Sequence, residues 1–184
     1  TLCNDVAWAR EELKNNSTNP TQLGVTTQKL QSAWDKALKF TLDAQVKIDG
    51  TLTGWAQQYD PTATTPTPAG GRAYELPSVS SGESLSVVNV LTNIKNPTPE
   101  IKTAVESYVS WINTVGFTGY EVKNISDRTR ELGKDRLLVY TGKTSKLFGR
   151  FYALDTTGEM YNLDLTGKFT QSKFYEIFSG RDGV

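Results

Sequence analysis

Apolar residues recur at helical spacing through the first two thirds of the chain, then give way to short runs broken by turn residues. Val6, Ala9 and Leu13 fall on one stripe and predict a short helix over residues 5 to 15, with Asn4 or Asp5 available as its cap. Asn15-Asn16-Ser17-Thr18-Asn19-Pro20 is a turn. Leu30, Ala33, Trp34, Ala37, Leu38 and Thr41 predict a long amphipathic helix over residues 27 to 46, capped by Thr26 or Thr27. Asp49-Gly50 turns the chain. Leu85, Val88, Leu91 and Ile94 predict a helix over residues 84 to 95, which Asn96-Pro97 ends, because the residue before a proline disfavours the helical region. Thr98-Pro99-Glu100 then restarts a helix with a cap, a first-turn proline and a first-turn acid. Its apolar stripe is Ile101, Ala104, Val105, Tyr108, Ile112 and Val115.

After Gly116 the pattern changes. Residues 118 to 122, 136 to 140 and 148 to 154 read as short strands between Gly, Asp and Lys turns, and Thr156-Thr157-Gly158 reads as a turn. Residues 159 to 184 read as hairpin and loop. The expected fold is mainly α with a smaller β-containing region, helical over 1–116 and made of short strands and loops over 117–184. No clear domain boundary and no fixed-period repeat is visible. Helix pairs joined by loops suggest part of an α/α toroid or bundle.

Between the helices lies a stretch of different character, from Gly54 to Ser84. It is too polar for core and too aromatic for a plain linker. Trp55, Tyr59 and Tyr74 offer flat faces, and Gln57, Gln58, Arg72 and Glu75 offer fork-shaped hydrogen-bonding groups. Pro61, Pro66, Pro68 and Pro77 stiffen the backbone. This mixture suits a groove for sugars, where rings stack on C–H faces and forks bind hydroxyls or carboxylates. A long loop tucked against a helical bundle is the plainer alternative.

Composition narrows the chemistry. The 184 residues are enough for one domain with a core, and 20 basic against 20 acidic residues leave no net charge. That balance argues against bulk nucleic-acid or anionic-membrane binding. No apolar run is long enough to span a membrane. Thr1-Leu2-Cys3-Asn4-Asp5 lacks the charged and apolar regions of a signal peptide and reads like the middle of a helix-entry segment. Cys3 is the only cysteine and there is no histidine, so triad and Cys-His mechanisms are excluded. Any bound metal would take oxygen ligands, which points to calcium or magnesium.

Three ordered blocks carry a resemblance: Gly54-Trp55-Ala56-Gln57-Gln58-Tyr59-Asp60-Pro61, Arg72-Ala73-Tyr74-Glu75-Leu76-Pro77-Ser78 and Ser81-Gly82-Glu83-Ser84. With Asn96-Pro97-Thr98-Pro99-Glu100, Gly149-Arg150-Phe151-Tyr152 and Phe178-Ser179-Gly180-Arg181-Asp182-Gly183, they make the chain resemble the pectate lyases of polysaccharide lyase family 10 along nearly its whole length. The resemblance implies an incomplete toroid of helical hairpins with a β-containing region beside it. It implies a secreted or periplasmic bacterial enzyme that cleaves polygalacturonate, with Ca2+ as cofactor and pectin as partner. Family modules are longer, so this chain corresponds to the C-terminal half to two thirds of one. A missing N-terminal segment or a second chain would complete the fold, packing on the helices over 5 to 15 and 27 to 46, where Trp8, Trp34, Leu38 and Phe40 give apolar surface on more than one side.

Individual residues support two readings each. Asn4-Asp5 is by itself a helix cap; the resemblance makes Asp5 a calcium ligand, one of the about 6–8 oxygens such an ion takes. Arg72, Arg150 and Arg181 each stand beside Gly or aromatic residues, and each is by itself either a carboxylate fork or half of a structural ion pair, as Arg72 would be with Glu75 or Glu83. The resemblance makes Arg72 and Arg150 substrate-binding, with Tyr74 and Trp55 beside them, and makes Arg181 the catalytic base. Guanidinium is almost inert as a base, so nearby cations must disfavour its charge and the uronate must be acidified for an arginine to act so. Glu75 and Glu83 are read as orienting partners of Arg72 or helix-entry acids, not as a hydrolase pair. The expected function is calcium-assisted anti β-elimination. The alternatives are a noncatalytic pectin- or uronate-binding module, an inactive lyase fragment, or a helical interaction domain with no sugar site.

Overall fold

A computed structural model describes residues 11, 26–71, 77–126, 134–152, 154 and 174–175. Over 134–137 and 174–175 it describes the backbone alone. The helix expected over 5 to 15 lies outside these residues except for Glu11, which is helical and exposed.

Helix α1 runs Thr27–Asp43 and starts as expected, with the Thr26 hydroxyl accepting from the Lys29 N–H at 3.2 Å. It ends three residues earlier than the apolar pattern predicts. Ala44 caps it, and Gln45 leaves the helix to bury its amide, donating to the carbonyls of Thr53 at 2.8 Å and Ala104 at 2.9 Å. Strands β1 (Lys47–Ile48) and β2 (Thr51–Leu52) then form a small hairpin. Its turn is Asp49-Gly50, both at positive φ (49° and 78°), the backbone that a two-residue hairpin turn demands and that Asp-Gly adopts readily.

Strands β3 (Trp55–Ala56) and β4 (Val79–Ser80) lead into helix α2, Ser81–Thr92. Helix α3, Pro99–Val115, follows with the expected start: the Thr98 hydroxyl accepts from Ile101 N–H, Pro99 opens the first turn and Glu100 is its acid. Strands β5 (Tyr120–Ser126) and β6 (Lys134–Tyr140) pair antiparallel along seven residues. Strands β7 (Phe151–Tyr152) and β8 (Phe174–Tyr175) complete the described elements. Of the third expected strand, 148 to 154, the described residues show Phe151–Tyr152 extended as β7 and 148 to 150 outside it. The rest of 159 to 184 lies outside the described residues.

The fold is therefore mixed. Four short strands lie within the part expected to be helical, and the β-containing part is not separate from it. A four-stranded sheet in the order β3-β4-β7-β8 joins residues before Gly116 to residues after it.

The core gathers Ala44, Trp55, Val87, Val88, Leu91, Ile101, Ala104 and Tyr108. The stripe on α3 is the one expected. On α2 the buried face is Ser84, Val87, Val88 and Leu91, while Leu85 is 53% exposed. The helix is rotated from its most apolar setting because Ser84 is needed inside, where its hydroxyl accepts from Trp55 N–H at 2.7 Å.

Candidate functional site

The blocks that are far apart in sequence meet in the sheet. Strand β4 is one of its two inner strands, with Trp55 opposite Ser80 on one side and Phe151 opposite Ser80 on the other. The register continues one residue beyond the strands: Ser81, first residue of α2, donates its N–H to the Arg150 carbonyl at 3.0 Å. Tyr108 on α3 donates its hydroxyl to the Ser81 carbonyl at 3.4 Å. Arg150 is thus held by its backbone to the start of α2, which α3 holds in turn.

Arg150 is half-buried, and its guanidinium carbon lies 5.0 Å from the centre of the Phe151 ring, within the range of cation–π attraction. The preceding N–H, of Gly149, donates to the Tyr152 hydroxyl at 2.8 Å in a buried setting. Behind Tyr152 runs a chain of rings, Tyr152–Trp111 at 5.0 Å, Trp111–Tyr108 at 6.1 Å and Tyr108–Trp55 at 6.3 Å. Burial pushes the Tyr108 hydroxyl pKa above its ordinary value of 10.0.

Trp55 is corrected from ligand platform to core. It is 2% exposed, its indole N–H donates to the Thr41 carbonyl at 2.7 Å, and no ring face is left for a sugar. The stretch around it is polar in composition, yet several of its polar groups bond within the protein. Tyr59 donates its hydroxyl to the Ala44 carbonyl at 2.7 Å and accepts from Ala56 N–H at 2.9 Å. The Thr/Pro-rich loop closes on itself, with Tyr59 bridged to Pro68, Asp60 N–H donating to the Thr67 carbonyl and Ala69 N–H to the Gln58 carbonyl. The Asp60 carboxylate accepts from the Thr62 hydroxyl at 2.7 Å and its N–H at 2.8 Å, which holds its pKa below 3.8. An open groove of about 770 Å³ remains in front of this loop, lined by Lys36, Lys39, Gln57, Gln58 and Tyr59 among others.

Glu83 stands in the first turn of α2 and accepts from the hydroxyl of the cap residue Ser80, so it is a helix-entry acid. Glu75, Arg72, Tyr74, Asp5 and Arg181 lie outside the described residues. Among the described residues no group of three or more His, Cys, Asp or Glu is placed to hold a metal ion. Two residues that shape the site were not singled out from sequence, Ser84 and Tyr152. The sign available for Tyr152 was its spacing, three residues after a glycine and across a bend.

The pectic acid lyase family model matches residues 9–181, nearly the whole chain. The chain belongs to this pectic acid lyase family. Comparison with curated protein sequences finds no match. Among solved structures, the chain resembles a family 10 polysaccharide lyase from Cellvibrio cellulosa, with a TM-score of 0.68 at 26% identity, covering 93% of this chain and 51% of that one. A single-substitution mutant of a family 10 lyase from the same organism, in complex with trigalacturonic acid, matches with a TM-score of 0.68 at 25% identity, over 94% of this chain and 52% of that one. This pectic acid lyase chain therefore spans about half the length of the solved relatives it matches.

Proposed function

We propose that this chain is part of a pectate lyase that cleaves polygalacturonate by β-elimination. The observation that carries the reading is the family match over residues 9–181, to which the relative in complex with trigalacturonic acid adds a uronate ligand. The guanidinium of Arg150, a half-buried residue, suits the same chemistry. A fork held over an aromatic ring pairs with a uronate carboxylate and offsets the negative charge that develops when the neighbouring carbon loses its proton. A base takes the proton from C5, the electron pair forms the C4–C5 double bond, and the C4–oxygen glycosidic bond breaks. The departing oxygen takes up a proton, and water is not consumed.

Arg181 is proposed as the base, with Arg72, Arg150 and Tyr74 on the substrate. Calcium belongs to the same proposal, with Asp5 as one ligand and the other oxygens from outside the described residues; when bound it would neutralise uronate charge. The proposal also includes the toroid of helical hairpins, a secreted or periplasmic bacterial setting, and a further N-terminal segment or second chain that completes the module. Among the described residues no helix is long and apolar enough to cross a membrane.

The test is the ultraviolet absorbance of unsaturated product from polygalacturonate, with and without a chelator, on an active species whose intact mass is measured. Absorbance that grows and stops with chelator supports the proposal. Growth untouched by chelator removes calcium from it. Affinity for polygalacturonate without absorbance makes the chain a binding module, and a mass equal to this chain alone in a fully active species removes the completing segment.

A further inference from the structure

We propose that Tyr152 is a positioning residue for Arg150, setting the guanidinium where a uronate carboxylate meets it. This rests on the reading of Arg150 as a substrate-binding residue. Arg150 stands at the mouth of β7 and is fixed on three sides. Its own carbonyl accepts from Ser81 N–H at 3.0 Å. The N–H of Gly149 before it donates to the Tyr152 hydroxyl at 2.8 Å. The ring of Phe151 after it lies 5.0 Å from the guanidinium carbon.

The Tyr152 hydroxyl is an unusual choice for a merely structural contact. The residue is 1% exposed, and a buried hydroxyl is costly unless hydrogen-bonded. Phenylalanine would give the same edge contact with Trp111, 5.0 Å away, without that burden. One group the hydroxyl serves is the N–H it accepts from, and that N–H belongs to Gly149, immediately before Arg150. Because Gly149 is itself buried, this N–H cannot turn to water for a substitute partner. Ser81 fixes where the Arg150 carbonyl goes, and Tyr152 fixes the Phe148–Gly149 peptide plane, one residue further back. Together they pin the backbone on both sides of the Gly149–Arg150 link and so restrict the direction in which the side chain leaves it. A bidentate pair with a carboxylate is sensitive to that direction, since a displacement on the order of 1 Å is enough to break the fork.

The test is a double-mutant cycle on affinity for trigalacturonic acid in the complete protein, with Tyr152→Phe and Arg150→Ala singly and together. Tyr152→Phe should weaken binding about tenfold, a loss on the scale of one well-placed hydrogen bond, and should change nothing once Arg150 is alanine. Thermal melting should fall equally in both backgrounds, so the affinity pattern is separate from stability. The Nε–H resonance of Arg150, followed by NMR without ligand, should shift from an ordered to an averaged environment in Tyr152→Phe. An equal affinity loss in both backgrounds, or no affinity loss with an unmoved Arg150 resonance, overturns the proposal while Arg150 keeps its role. If Arg150→Ala binds trigalacturonic acid as tightly as the parent, the reading beneath it fails and the proposal falls with it.

Discussion

The hydroxyl of Ser84 on α2 accepts the backbone N–H of Trp55 at 2.7 Å, across 29 residues of chain. This contact ties the first turns of the helix to the strand that carries the buried indole. It also leaves no room between them. A Cβ on Gly54 would run into the Ser84 Oγ and lie 2.9 Å from Val79 Cγ1. Gly54→Ala should therefore destabilise the fold by roughly 1–3 kcal/mol through overpacking. Ser84→Ala should cost a similar amount, about 1–3 kcal/mol, by leaving the Trp55 N–H buried and unpaired. Urea melts of the two variants check both values, and a parent-like midpoint for either contradicts the account.

Trp55 should behave as a core residue. Trp55→Phe keeps a ring but orphans the Thr41 carbonyl, and should cost about 1–3 kcal/mol. Trp55→Ala should cost roughly 3–5 kcal/mol through the cavity it leaves. Below its melting transition, Trp55→Phe should bind trigalacturonic acid with parent affinity. A large affinity loss in a folded Trp55→Phe protein would return the ring to the ligand site.

The three motif arginines separate by binding against turnover. Arg150→Ala and Arg72→Ala should weaken polygalacturonate binding, because a carboxylate loses its fork. Arg181→Ala should abolish turnover with binding retained, since a base contributes mainly in the transition state. Parent-like turnover in Arg181→Ala, with that pattern appearing instead in Arg72→Ala, moves the role of base to Arg72.

Glu121 reports on the β5–β6 hairpin. Hydrogen bonds from the ammonium of Lys143, then of Lys123, hold its carboxyl below 4.5. A depressed folded-state pKa contributes stability that is present above the unfolded value and lost as the pH falls through the folded one. The contribution should therefore fade only in acid, below about 4.5. Lys143→Ala should move the Glu121 titration, followed by NMR of the carboxyl carbon, back toward the ordinary value. An unmoved titration would show that the ammonium is not the cause.

Much of this protein was decided locally. The caps at Thr26 and Thr98, the stripe on α3, the Asp49-Gly50 turn and the presence, though not the bounds, of β5 and β6 follow from short-range rules, because backbone conformation and capping are settled within a few residues. The ordered blocks pointed to the pectic acid lyase family, and the family match bears that out. What pairs with what across long separations was decided by tertiary structure alone. Hydrophobic periodicity counts Leu85 as core and Ser84 as surface, yet the structure buries Ser84, whose hydroxyl satisfies the Trp55 N–H, and leaves Leu85 exposed. Gln45 ends α1 for the same reason, since its amide serves two carbonyls from other elements. Trp55 has polar neighbours in sequence, but the tertiary structure packs its ring among Ala44, Val87, Leu91 and Tyr108 and gives its N–H the Thr41 carbonyl. The meeting of β4 with β7, which brings Arg150 to the start of α2, joins segments about seventy residues apart, and no local rule reaches that far.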